Sequence, residues 1–274
     1  MKKSIGMIGF GAIAEEFIAA LQARNELSSL AGVLVRPGKR EVMTLEADNR
    51  FPVVDSLAAL VNLRPNVIIE AAGHSALAAF GAQILAGGID LLIASVGALA
   101  DGKLANELAL AAGNDAELWI ASGAVAGIDG LLAARTAGLK SLRYTSLKPP
   151  AAWMGTAAEK LLELGTLARR VAFFTGSARE AALQYPQNAN VAATIALAGL
   201  GLDATEVCLG ADPGLTGPLG LIEAAGVFGT FRFEISTRPS SVNPKTSAIT
   251  GHSLASALLD GMCFRGLPAM TATP

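Results

Sequence analysis

Six residues near the start constrain this chain more than any others. Gly9-Phe10-Gly11-Ala12-Ile13-Ala14 follows the apolar run Ile5-Gly6-Met7-Ile8 and opens a helical stretch, Ala12 to Arg24. A G-x-G-x-x-A spacing between a strand and a helix is the pattern of a dinucleotide site. The first glycine permits the tight turn, and the second lets the backbone approach a pyrophosphate. Ala14 lets helix and strand pack closely, while the helix N-terminus offers amide groups and positive potential to phosphates. Gly9, Gly11, Ala12, Ile13 and Ala14 are therefore expected at a cofactor, NADP or NAD. NAD-preferring sites place an acid at the end of the second strand. Here Arg36 stands there, with Lys39 and Arg40 behind it. Such cations suit a 2′-phosphate, or form a solvated charge run on a loop.

The rest of the first half keeps the same rhythm. Strands are expected at Leu30–Val35, Val67–Glu70, Asp90–Ser95 and Glu117–Ala121. Helices are expected at Ser56–Asn62, with Ser56 as cap, at Ser75–Ala86 and at Leu104–Gly113. Continuous apolar strands alternating with helices predict an α/β fold, a Rossmann-type doubly wound parallel sheet. After Ser122 the pattern changes. Leu139–Leu147 and Gly229–Ser236 alternate in polarity, Val171–Phe174 and Thr205–Leu209 are short strands, and Asn190–Leu202 is a strongly apolar helix. A second, α+β domain with a mostly antiparallel sheet follows. The expected division is 1–121 for dinucleotide binding and 122–243 for substrate and dimerisation. A C-terminal helix within 244–274, centred on Ser253–Leu259, is expected to pack back on the first domain.

Composition narrows the partners. With 21 basic and 23 acidic residues, net charge −2, no basic stripe exists for nucleic acid. Two cysteines, Cys208 and Cys263, and two histidines, His74 and His252, make no metal-type cluster, so no metal is expected. Mean hydropathy is +0.47. Yet the uncharged stretch Ala71–Ile89 is broken by His74, Gln83 and glycines, and Val191–Leu202 is too short to span a bilayer. A cytoplasmic, membrane-free enzyme of a small molecule is expected, with the exposed sheet face of the second domain supporting a homodimer.

Several ordered segments carry a resemblance. They include Glu70-Ala71-Ala72-Gly73-His74, Ser95-Val96-Gly97-Ala98-Leu99 and Ser122-Gly123-Ala124-Val125-Ala126-Gly127-Ile128-Asp129. Arg143-Tyr144-Thr145 with Lys148-Pro149, Gly176–Ala181, Pro186–Thr194 and Asn243-Pro244-Lys245-Thr246-Ser247 complete the set. Together with the glycine turn they resemble the L-aspartate dehydrogenase family over almost the whole chain. The resemblance implies NAD(P)-dependent interconversion of aspartate and iminosuccinate. It also implies cofactor contacts at Gly73, His74, Ser95, Val96, Gly97, Ala124 and Asn190, and a substrate pocket holding Ser122, Lys148 and Asn188.

One departure cuts across this. The family carries an Asn-x-His element ahead of the turn seen here as Gly226-Val227-Phe228-Gly229, and the aligned residues are Pro218 and Gly220. Glycine transfers no proton, and losing an acid/base group slows catalysis about 10²–10⁴-fold. The candidates to replace it are Lys148, His74 and His252. Arg179 is a further cation, either clamping a carboxylate or pairing with Glu180 or Glu159. Three readings stay open: an aspartate dehydrogenase-like enzyme, an imine reductase or amine dehydrogenase on another substrate with Pro218 and Gly220 opening space, and a catalytically silent dinucleotide binder.

Overall fold

A computed structural model describes residues 4–113, 115–186, 190–238, 240, 243 and 246–266. The chain forms two compact units. The first runs to Gly123 and takes in the residues from Ile249 onward; the second is Ala124–Ala248.

The first unit contains strands β1 (Ile5–Ile8), β2 (Leu30–Leu34), β3 (Val53–Val54), β4 (Val67–Glu70), β5 (Asp90–Ile93) and β6 (Leu118–Ala121). The last strand of the chain, β12 (Cys263–Arg265), joins them in one seven-stranded sheet, ordered β12-β6-β5-β4-β1-β2-β3. All neighbours are parallel except β12, which runs antiparallel to β6. From β3 to β6 this is the dinucleotide-fold order 3-2-1-4-5-6. Every residue of β1 and β4 is buried, as strands covered on both faces must be. The helices are α1 (Ala12–Ala23), α2 (Arg40–Ala47), α3 (Leu57–Asn62), α4 (His74–Ala86), α5 (Gly102–Ala112) and, from the far end of the chain, α9 (Thr250–Leu259).

Among the described residues of 244–274 the expected helix runs over Thr250–Leu259, and the chain then turns back as β12 on the sheet edge. Helix α9 lies on α1, with Leu254 and Leu258 in the same core as Phe17 and Leu21. The contact is close at Gly251, where a Cβ would stand 2.5 Å from the Ile13 carbonyl oxygen and 2.7 Å from the Phe17 nitrogen. At its end Arg24 grips Asp260 through two hydrogen bonds of 2.6 and 2.8 Å.

The second unit holds β7 (Leu139–Lys148), β8 (Val171–Ser177), β9 (Glu206–Ala211), β10 (Leu219–Gly226) and β11 (Gly229–Ser236). Its helices are α6 (Ile128–Thr136), α7 (Ala178–Gln184) and α8 (Asn190–Ala198). The sheet order is β11-β10-β7-β9-β8, and only the β7–β9 pairing is parallel. Leu142, Tyr144 and Ser146 of β7 share a buried face with Ile222 and Ala224 of β10 and Val207 and Leu209 of β9. Helices α6 and α8 pack on β7, and α8 is buried nearly all round, so it is apolar on every side.

Replacing Gly251 with Ala is expected to lower stability by about 1–3 kcal/mol, because backbone atoms of α1 must move to admit the methyl group. Urea denaturation measures it, and an unchanged midpoint would refute the close approach of α1 and α9.

Candidate functional site

The turn between β1 and α1 is built around its glycines. Gly9 has φ +102°, its N–H donates to the Leu34 carbonyl at 2.9 Å, and a Cβ there would lie 2.8 Å from the Ala71 carbonyl oxygen. Gly11 is the N-cap of α1 and has no side chain to cap the helix; a Cβ at Gly11 would meet nothing within 4 Å. The first amides of α1 thus face open space at the carboxyl end of β1, and this suits a pyrophosphate. Ala12 and Ala14 are buried and Ile13 partly so, which seats the helix on the sheet. Helix α4 repeats the device: its N-cap is Gly73, at φ +108°, with no side-chain cap and no atom within 4 Å of a Cβ. His74 is the first helical residue and is partly buried.

A buried carboxylate ties these loops together. Glu70, 1% exposed at the end of β4, accepts hydrogen bonds from the amides of Ala72 and Gly73, each at 2.8 Å. It also accepts from the Ser95 amide and hydroxyl, each at 3.1 Å. Burial pushes the Glu70 carboxyl above its usual range, while these four bonds favour the ionised form and oppose that shift. Ser95, Val96 and Gly97 are all buried, in the turn that follows β5. The Ser95 hydroxyl, expected at the cofactor, is therefore engaged by Glu70. Arg36 is exposed just beyond β2; Lys39 is the N-cap of α2 and Arg40 its first residue.

In the second unit the residues of interest meet on one face of the sheet. Gly220, the position where the resemblance expects the family's histidine, lies inside β10, paired with Ser146 on one side and Ile235 on the other. A Cβ at Gly220 would stand 3.2 Å from the Tyr144 ring and hydroxyl. Tyr144 thus lies against the position that was expected to open space. That phenol is buried and hydrogen-bonded to the Ser146 side chain, and burial pushes it up to about 12. Lys148 ends β7, partly buried, with Nζ 5.1 Å from the Trp153 ring centroid. Burial lowers its ammonium to about 8. Pro218 immediately precedes β10 and is partly buried.

Other expected residues fall on other elements. Ala124 opens the second unit and Asn190 starts α8, both partly buried, while Ser122 falls within the first unit. His252 is exposed on α9. Asn188 lies outside the described residues. Arg179 pairs with neither Glu180 nor Glu159: it holds Asp203 through bonds of 2.6 and 2.9 Å. Glu180 closes a capping box with Ser177 at the start of α7, a helix that the expected strands and helices omitted. Among the described residues no cluster of metal-binding side chains occurs and no helix is long and apolar enough to cross a membrane.

Comparison with known proteins decides the family. Residues 129–260 match the model for the aspartate dehydrogenase C-terminal domain, and residues 9–119 match the NAD-binding domain of homoserine dehydrogenase. L-aspartate dehydrogenase from Ruegeria pomeroyi is 44% identical over 255 residues, covering 93% of this chain and 90% of the relative. The enzyme of that name from Pseudomonas aeruginosa is 42% identical, covering 93% and 96%. The chain belongs to the L-aspartate dehydrogenase family. It is an NAD(P)-dependent oxidoreductase, and the two glycine-capped helices of its first unit fit that cofactor. The aspartate dehydrogenase of Thermotoga maritima shares the fold of the family member described here, with TM-score 0.70 at 23% identity, covering 95% of this chain and 97% of that one. An amine dehydrogenase from Mycobacterium smegmatis shares the fold at TM-score 0.56 and 11% identity, covering 98% and 95%.

Glu70→Gln keeps the size of the side chain but turns an amide NH₂ toward the buried Ser95 N–H. We expect a loss of about 1–3 kcal/mol in stability and weaker NAD(P) binding, from one unsatisfied donor. Denaturation and a cofactor fluorescence titration check this; unaltered values in both would show that the tie is dispensable.

Proposed function

We propose that this enzyme moves hydride reversibly between NAD(P) and a carbon bearing nitrogen, with an amine, imine or amino acid other than aspartate as its preferred substrate. The observation that carries this reading is Gly220: the β10 face offers neither the imidazole nor the amide of the family's Asn-x-His element. The oxidised nicotinamide supplies the hydride acceptor when bound. The chain's part is to hold the nitrogen-bearing carbon, exclude water and handle the proton. A preformed iminium needs no acid at carbon, so a shaped pocket and positioning supply much of the rate. The second unit offers the Tyr144 and Ser146 hydroxyls and the Lys148 amine for such a pocket, and the family resemblance implies cofactor contacts at Ala124 and Asn190. We further read the exposed cations Arg36, Lys39 and Arg40 as a seat for a 2′-phosphate. The outward sheet face, bearing Arg143, Glu223, Arg232 and Glu234, is read as a homodimer surface, in a cytoplasmic enzyme.

Two measurements test this. A panel of amino acids and amines with NAD or NADP, followed by reduced-cofactor absorbance, is expected to show turnover with non-aspartate substrates. Aspartate should be about 10²-fold slower or worse. Aspartate as the best substrate would overturn the substrate assignment, and cofactor binding without any turnover would make the chain a silent binder. Arg36→Asp is expected to shift preference from NADP toward NAD by roughly tenfold or more, the worth of a charge-assisted contact. An unshifted ratio of kcat/KM would remove Arg36 from the cofactor site.

A further inference from the structure

We propose that Lys148 is the catalytic acid/base of this site, serving from β7 the proton-transfer role that an imidazole on β10 would serve. The inference rests on the functional reading above and adds the residue that moves the proton. Antiparallel pairing sets Ser146 opposite Gly220 and Leu147 opposite Leu219. One residue further along come Lys148, the last residue of β7, and Pro218, which immediately precedes β10. Cross-strand partners share a face, and side chains two apart along a strand share it too. Lys148, Ser146 and Tyr144 are therefore on the face where positions 218 and 220 lie, and a lysine stem spans the diagonal between neighbouring strands.

The other titratable groups around this point are unsuited to the task. The Tyr144 phenol, pushed up to about 12, stays protonated at neutral pH and acts only as a hydrogen-bond partner. Asp212 follows β9 and donates its backbone N–H to the Lys148 carbonyl, but its carboxylate is held by Arg170 at 2.7 Å and by the Gly214 amide at 2.9 Å. That pairing keeps Asp212 below the usual carboxylate range, hence ionised. Lys148, packed on the Trp153 ring, is lowered by burial to about 8, within reach of both protonation states near neutrality.

The chemistry balances. In the oxidative direction the neutral ε-amine accepts a proton from the substrate ammonium, R₂CH–NH₃⁺, leaving R₂CH–NH₂ and a lysine ammonium. A bound oxidised nicotinamide would supply the hydride acceptor for that carbon, and loss of the hydride as the nitrogen lone pair forms the C=N bond gives R₂C=NH₂⁺. In reverse the lysine ammonium returns its proton to the new amine.

The test uses the full-length enzyme and its best amine substrate. We expect kcat/KM for oxidation to rise with pH through about 8 in the wild type. Lys148→Met and Lys148→Arg should both lose that limb and about 10²–10⁴-fold in kcat, with KM changed little. An Arg variant that keeps wild-type kcat, beside a Met variant with raised KM, would make Lys148 a cation that merely holds substrate, and the proposal would fall. Retained cofactor binding together with an unaltered urea denaturation profile in both variants shows that they fold. Independently of turnover, competitive acetylation read by mass spectrometry should show Lys148 titrating near 8; an ordinary lysine value, near 10.5, overturns the proposal. A wild type that turns over no amine or imine overturns the functional reading and this inference together, whereas defects confined to the variants bear on Lys148 alone.

Discussion

The first unit depends on one buried carboxylate. A parallel sheet delivers every β-to-α loop to the same edge, where ligands bind. Those loops leave backbone amides without partners, and buried amides must be satisfied. Glu70 satisfies three of them, at Ala72, Gly73 and Ser95, and takes the Ser95 hydroxyl as well. The loops after β4 and β5 are thereby fixed to one side chain rather than to each other. An isolated buried charge is expensive, and only this full set of donors makes it tolerable. The same bonds leave the amides at the head of α4 without a side-chain cap, so loop order and an open helix terminus coexist.

Close backbone approach is the second constraint, and it explains the unusual composition. With 30 glycines and an aromatic share of 5%, the chain packs by contact between main chains. Gly9 against Ala71 and Gly251 against α1 are such contacts. Several aromatic side chains gather in the second unit, where Trp153, Phe173, Phe174 and Tyr185 form a cluster beside Lys148. Trp153 is fully buried and its indole N–H donates to the Gly210 carbonyl at 3.0 Å, so this cluster anchors the end of the strand that presents the lysine.

Where hydrophobic pattern and turn chemistry agree, the fold was legible from residues alone. β1, β4 and β11 run over the expected residues, and Ser56 caps α3 as its position implied. β10 escaped because Leu219-Gly-Leu-Ile-Glu-Ala-Ala-Gly hides its alternation among small residues, though its burial alternates plainly. β12, three residues long, is too short to show a period. The partner of Arg179 was invisible because Asp203 is 24 residues away and only tertiary folding joins them. The site was half legible. The glycine turn announced itself, whereas the role of Glu70 did not, although an acid ending a buried apolar strand is itself a signal. That Tyr144 lies against Gly220 follows from which strands pair and in what register, and that could not be read while β10 itself was hidden.

Exchanging an imidazole for a buried amine changes more than the identity of the base. An unperturbed histidine is mostly neutral at pH 7 and ready to accept a proton. A lysine lowered to about 8 is mostly protonated there and ready to donate one. On the assignment of Lys148, the resting site is thus set for the reductive direction, in which the new amine must gain a proton. Burial against Trp153 is what makes this workable: left in water the ammonium would hold its proton too firmly to exchange it. Glycine at position 220 fits the same logic, because a side chain there would crowd Tyr144.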